Sequence, residues 1–254
     1  MVSDQDPPVA WATAMAPAVL FRAAVAMTGR FPALAGVDLE VGEGEAVVLT
    51  GPNGAGKTSV LRACAGLLRV ASGEVIVLGH DLVEDPVAAR REIAMLGHTA
   101  ALYEDLSVTE NVRFAVRAAG GETGRVPEAL ARLGLAGRLA KTQVARLSAG
   151  QRKRVALAVL VARSPRLWLL DEPHASLDAA ARNGLDEIIA GALETGATVL
   201  LASHEVNASK DVAARILVMA GGRVVSETPS TQVGESAAPE RTPVVPLRGG
   251  AHVA

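Results

Sequence analysis

The run Gly51-Pro52-Asn53-Gly54-Ala55-Gly56-Lys57-Thr58 constrains the fold more than any other stretch of this chain. It follows the apolar segment Ala46–Thr50 and precedes a helical pattern from Lys57 to Leu68, which reads as strand, glycine-rich loop and helix. The glycines permit a backbone in which several N–H groups face one anion. The positive end of the helix dipole adds to that site, with Ser59 a further candidate contact in the first turn. Lys57 is expected to reach the outer phosphates of a nucleotide and the Thr58 hydroxyl to ligate Mg²⁺.

A second candidate site lies downstream. Leu167-Trp168-Leu169-Leu170 is a continuous apolar run ending in Asp171-Glu172. Strands buried on both faces read this way, and ligands in parallel sheets sit beyond the strand C-termini. Asp171 is therefore a candidate metal-assisting carboxylate, and Glu172 could polarise a water for attack on a phosphate. Between the two sites runs Leu147-Ser148-Ala149-Gly150-Gln151, directly before a helical pattern over Ala149–Ala162. Ser148 fits as its N-cap, and the N–H groups of Ala149 and Gly150 would form a second anion site.

The rest of the chain places these motifs. Strand-like runs fall at Val19–Val25, Val37–Val41, Glu74–Leu78, Ile93–Leu96, Thr198–Ala202, Ile216–Met219 and Arg223–Ser226. A further helix is expected over Ala179–Leu193. From Ser107 to Arg146 apolar residues recur at helical spacings, broken by Gly120-Gly121, which marks a helical insertion. Apolar strands alternating with helices predict an α/β domain with a mainly parallel sheet covered on both faces. Residues 1–17 are expected to be a disordered extension, 18–228 the folded domain with its helical part at about 98–160, and 229–254 a flexible tail.

With 254 residues, half of them hydrophobic, the chain can bury a large core. A formal net charge of −2 gives no sign of a nucleic-acid partner. The single Cys64 rules out an intramolecular disulfide framework and reads as a buried thiol. Asp4 and Asp6 stand where a secretory signal would carry basic residues, and Pro17 and Arg22 interrupt the apolar stretch Val9–Met27. If the protein works at a membrane, another polypeptide must supply the spans. His80, His174 and His252 give no metal-ligand spacing, and Arg90-Arg91 and Arg152-Lys153-Arg154 read as solvated helix faces.

Taken together, these residues resemble the ATP-binding-cassette ATPases. Leu147–Gln151 is similar to the family signature LSGGQ, Asp171-Glu172-Pro173 to its acidic strand end, Ala175-Ser176-Leu177-Asp178 to its D-loop, and Ser203-His204 to its switch histidine. The resemblance runs from about Val19 to about Ser226. It implies the P-loop NTPase fold of that family: a mainly parallel core sheet, an antiparallel β subdomain and a helical insertion. It also implies hydrolysis of ATP with Mg²⁺, Glu172 as base, and His204 and Lys57 on the γ-phosphate. Two copies would pack head to tail, with Ser148, Ala149, Gly150, Gln151 and Asp178 of one serving the nucleotide of the other. A membrane-spanning transporter subunit would hold the pair at the cytoplasmic face.

Three positions depart from the family pattern. His98 stands where a glutamine usually joins the core to the helical insertion; it can sense metal-bound water or couple to a partner, or be a turn residue. The aromatic that usually stacks on adenine is missing at Thr28, leaving Phe31 to replace it or adenine loosely held. Ala149 replaces a signature glycine. Gly97-His98, the Leu147–Gln151 form and Leu167–Pro173 are similar to the ATPase subunit of the haem exporter of cytochrome c maturation. Exporters of drugs or lipids, and a soluble non-transport cassette protein, are the alternatives.

Overall fold

The computed structural model of the protein describes residues 16–97, 101–175, 177, 179–204, 213 and 215–229. The expectations for the N-terminal extension up to residue 15, for the tail from residue 230, and for His98 and Asp178 lie outside these residues.

Two sheets are present. An antiparallel sheet has the order β2 (Phe31–Val41), β1 (Val19–Thr28), β4 (Val70–Val77), β5 (His80–Asp81). The larger sheet has the order β10 (Arg223–Pro229), β9 (Arg215–Ala220), β3 (Ala46–Thr50), β8 (Thr198–Ala202), β7 (Leu167–Asp171), β6 (Ile93–Leu96). Its pairs are parallel except the β9–β10 hairpin. Its central strands bury alternate residues on opposite faces, as a period of two requires. Val48, Trp168, Leu170, Val199 and Leu201 pack against the helical side, whereas Val47, Leu49, Leu167, Leu169 and Leu200 pack against the other. On the helical side lie α2 (Val108–Ala118), α3 (Val126–Arg132), α4 (Ala149–Arg163) and α5 (Ala179–Glu194). The second face is shared by α1 (Lys57–Cys64) and the antiparallel sheet, so helices cover one face fully and the other only in part.

Several ends differ from the sequence expectation for identifiable reasons. The first helix stops at Cys64, four residues short of Leu68. Gly66 takes φ +64°, its N–H donates to Ala63 O, and Leu67 N–H donates to Arg62 O, which is the closing pattern of a glycine-terminated helix. A Cβ at Gly66 would also overlap Pro86 O, so this end cannot be extended by another residue type. β4 begins at Val70 rather than Glu74, because bulges in β1 at Ala23 (φ +46°) let the pairing resume beyond Gly73. The short β5 was not foreseen, since two residues carry no periodic signal. Cys64 is fully buried, and desolvation pushes its thiol pKa well up, consistent with a packing role.

A buried amide ties the segment before α2 to that helix. Asn111 is buried; its Oδ1 accepts from Tyr103 N–H, and its Nδ2 donates to the carbonyls of Tyr103, Leu106 and Ser107. Ser107 and Glu110 add a reciprocal capping box at the start of α2. Replacing Asn111 with Ala leaves the Tyr103 N–H without its acceptor, whereas the carbonyls of Tyr103, Leu106 and Ser107 keep the backbone donors Leu106, Val144 and Asn111 N–H. Asn111→Ala is expected to lower stability by about 1–3 kcal/mol, read from urea unfolding.

Candidate functional site

The site grows from the C-terminal edge of the parallel strands. Leu49 pairs with Ala202, and Ala202 with Asp171, so three strand ends stand level. The segments leaving them carry the candidate residues. Beyond β3, Gly51 takes φ +133° and lies so close to β9 that a Cβ would sit 2.1 Å from Met219 O. Ala55 N–H donates to Pro52 O, Gly222 N–H donates to Ala55 O, and Ala35 N–H donates to Gly222 O. The loop is thus wedged between the β9–β10 turn and β2, which fixes its curve. Among the described residues the N–H groups of Gly54 and Gly56 meet no acceptor, and no side chain caps α1 at Gly56. Those donors are open to an anion. Lys57 is buried, and its Nζ donates to the carbonyls of Gly51 (2.7 Å) and Pro52 (3.2 Å), folded back across the loop it serves.

Across from the loop, the Thr58 hydroxyl donates to Asp171 Oδ1 at 3.0 Å and Oδ2 at 3.1 Å. A hydroxyl beside a carboxylate is a hard-oxygen donor set that fits Mg²⁺. Glu172 takes φ +49°, a left-handed conformation that is strained for a residue with a side chain. Its N–H donates to Ala202 O at 2.9 Å. Its Oε2 lies 2.8 Å from Nδ1 of His204. With Glu172 ionised, this contact places a proton on Nδ1. Glu172 keeps 18% of its side-chain area and His204 56%, so both can meet a ligand. A cleft of about 490 Å³ lined by Thr50, Gly51, Pro52, Asn53 and His204 flanks the loop.

Ser148 caps α4 in a capping box: its hydroxyl accepts from Gln151 N–H, and its own N–H donates to Gln151 Oε1. Ala149 and Gly150 are exposed, and nothing lies near Gly150. None of residues 147–151 lines either cleft beside the phosphate loop. The structure therefore groups Lys57, Thr58, Asp171, Glu172 and His204, with Ser59 in the first turn of α1, and leaves Ser148–Gln151 apart. Phe31, at the tip of the β1–β2 hairpin, is 79% exposed and two residues from Ala33, whose carbonyl packs on Gly56.

A groove of about 890 Å³ leads from Asn53, Thr58, Asp171 and Glu172 past Gly97 and Ala101 to Leu67, Tyr103 and Phe114. Its far end is apolar yet exposed: Leu67 is 61%, Tyr103 55% and Phe114 48% accessible, the two rings meeting edge to face at 4.9 Å.

One expectation is overturned here. Arg152, Lys153 and Arg154 are not a solvated face. Arg152 donates to Leu147 O and Ala145 O and pairs with Glu104; Lys153 donates to Ala175 O and Glu172 O; Arg154 donates to Leu133 O. The signal was present in the sequence, since Lys153, Leu157 and Leu160 fall on one helical stripe with Ala156. Arg90 likewise lies in a turn and donates to Gly66 O. His174, read as scattered, is buried, with Nε2 2.7 Å from Asp186 of α5.

The family model described as ABC transporter matches residues 34–175. The chain is 40% identical over 189 residues to the cytochrome c biogenesis ATP-binding export protein CcmA of Xanthomonas campestris pv. campestris strain 8004, covering 74% of this chain and 87% of that protein. It is 36% identical over 196 residues to the sn-glycerol-3-phosphate import ATP-binding protein UgpC of Vibrio vulnificus strain YJ016, covering 76% of this chain and 52% of that protein. The chain thus spans about half the length of this import relative. Among solved structures, a dimeric bacterial ABC transporter cassette superposes with a TM-score of 0.76 at 27% identity, covering 84% of this chain and 98% of that one. The chain belongs to the ABC transporter family and has the ABC ATPase fold.

Gly51 offers a test of the loop. Gly51→Ala combines a Cβ overlap on Met219 O with an unfavourable φ. It is expected to weaken ATP binding at least roughly 100-fold, measured by titration with a fluorescent nucleotide.

Proposed function

We propose that this chain hydrolyses ATP to energise a membrane transporter, working as two copies packed head to tail. The observation that carries the reading is the Glu172–His204 contact of 2.8 Å held level with the Thr58–Asp171 pair at one edge of the sheet. In this reading the N–H groups of the phosphate loop and of α1 bind the phosphates of ATP, and Lys57 turns from the loop carbonyls to the outer phosphates. Thr58 and Asp171 would hold Mg²⁺, which offsets phosphate charge when bound. Glu172 accepts a proton from the attacking water, and His204, with a proton on each ring nitrogen, orients Glu172 through Nδ1–H and donates Nε2–H to the γ-phosphate. Phe31 supplies an aromatic face to adenine in place of the residue missing at Thr28.

The second copy completes the site. Ser148–Gln151 lies away from its own phosphate loop and presents an exposed helix N-terminus, so it is positioned for the nucleotide of a partner. Asp178 would join that contact, and His98 would report on it to the transporter. No helix among the described residues is long and apolar enough to cross a membrane. The spans then belong to a partner, docked on the apolar end of the groove at Leu67, Tyr103 and Phe114, and the chain sits peripherally at the cytoplasmic face. The folded unit would be 18–228, with the helical part at about 98–160.

For the cargo, we favour export of haem in cytochrome c biogenesis. The export relative is 40% identical to this chain and the import relative 36%, and Gly97-His98 with the Leu147–Gln151 form adds to the resemblance. Cells lacking this chain are then expected to lose covalently haem-stained c-type cytochromes, restored by the wild type and not by Glu172→Gln. Normal c-type cytochromes in such cells would exclude this cargo.

Glu172→Gln keeps the side chain's shape but removes its basicity. ATP turnover is expected to fall roughly 100- to 1,000-fold while ATP binding persists, and an ATP-dependent dimer should accumulate on size exclusion. Unchanged turnover in steady-state phosphate release would remove Glu172 as the base.

A further inference from the structure

We propose that Lys153 is a positioning residue for Glu172, clamping the turn that carries it to the helix that begins with Ser148. The inference rests on the reading of Glu172 as the base. Residues 172–175 form a tight turn in which Ala175 N–H donates to Glu172 O at 3.2 Å. The ammonium of Lys153 spans the two ends of that turn, donating to Ala175 O at 2.9 Å and more weakly to Glu172 O at 3.4 Å. Lys153 is half-buried; burial pushes its pKa down, the nearby Glu172 charge opposes that, and Arg182 adds to it.

The turn needs such a clamp. Glu172 holds a left-handed φ of +49°, and a strained conformation persists only where its surroundings over-determine it. The N–H of Glu172 is held by Ala202 O from one side. Lys153 holds the carbonyl from the other. On the far flank, Arg182 Nε donates to Leu177 O and His174 pairs with Asp186, which ties the rest of the turn to α5. Among the described residues Lys153 is the α4 side chain that hydrogen-bonds to it. Without the ammonium, Ala175 O loses its donor, Glu172 O keeps only the Ala175 N–H, and Glu172 can relax toward negative φ, swinging its carboxylate away from His204.

The placement also bears on how two sites communicate. The first turn of α4 would contact the nucleotide of the partner, whereas Glu172 would act on the chain's own nucleotide. Lys153 stands one turn further along the same helix, so a shift of α4 on engaging one ATP is delivered to the base at the other.

The test uses the purified full-length chain. Lys153→Met keeps the stem and removes the donor; kcat for MgATP is expected to fall about 30-fold with KM within about twofold, the split that marks a displaced base rather than lost binding. Lys153→Arg, which restores a donor, is expected to recover most of kcat. The double variant Lys153→Met with Glu172→Gln should form the ATP-dependent dimer as fully as Glu172→Gln alone. Wild-type kcat in Lys153→Met, or failure of Lys153→Arg to recover any, overturns the proposal. Loss of the dimer in the double variant alone would assign Lys153 to the interface instead, again overturning it. If Glu172→Gln itself turns over normally, the reading beneath fails, and it does so independently of any Lys153 result.

Discussion

Everything at the site follows from the parallel ladder that sets Leu49 beside Ala202 and Ala202 beside Asp171. A parallel sheet brings all of its strand ends to one edge, and this register makes three of them level. The phosphate loop, the Asp171-Glu172 end and the Ser203-His204 segment therefore start from a common line, although more than a hundred residues separate the first from the others. The register is not free to slip. Val48, Leu170 and Leu201 face one core, and Val47, Leu169 and Leu200 the other, so a shift of one residue would exchange the two packed faces of a strand. The core thus holds the chemistry in place through many dispersed contacts, none of which touches a ligand.

The same logic explains which parts were legible in the sequence. Ala46–Thr50, Ile93–Leu96 and Thr198–Ala202 were readable to the residue because strands buried on both faces are unbroken apolar runs between polar or glycine stops. The phosphate loop was readable because its glycines answer a backbone demand that no other residue meets. The end of α1 was not, because Gly66 closes it with φ +64° inside an otherwise helical pattern, at a point where the remote Pro86 leaves no room for a Cβ. The roles of Lys153 and His174 were hidden for a related reason. The helical stripe turns Lys153 inward, but only the tertiary arrangement shows that it meets two carbonyls and that His174 meets Asp186. His98 and Asp178, named from the resemblance, fall outside the described residues.

The two helix N-termini that face anions in this reading are finished differently, and the difference is chemical. α1 starts at Gly56 without a side-chain cap, so its donors are open to a phosphate bound deep in the loop. α4 starts with Ser148 and Gln151 satisfying each other's N–H groups, which leaves Ala149 and Gly150 as the open donors. A capped end is stable on its own and costs little to leave facing water. That suits a surface that must persist in a single chain and bind only when a second copy arrives. An open end suits a site where the nucleotide itself completes the helix. The resemblance groups both as phosphate-contacting motifs; in the proposed reading their caps separate a resident site from a docking one.

The groove gives the two ends of the proposed cycle a shared wall. Thr58, Asp171 and Glu172 line its polar end, and Leu67, Tyr103 and Phe114 its apolar end, with Gly97 and Ala101 between them. Asn111 fixes the apolar end by holding the Tyr103 and Leu106 backbone to α2, while Lys153 fixes the polar end by holding the Glu172 turn to α4. Because α2 and α4 pack into the same core, a displacement of either end is resisted by the other. An apolar partner seated at Tyr103 and Phe114 would then press on the base through packed helices, and a nucleotide drawing Glu172 into line would press back on the partner, since coupling free energy between two sites is reciprocal.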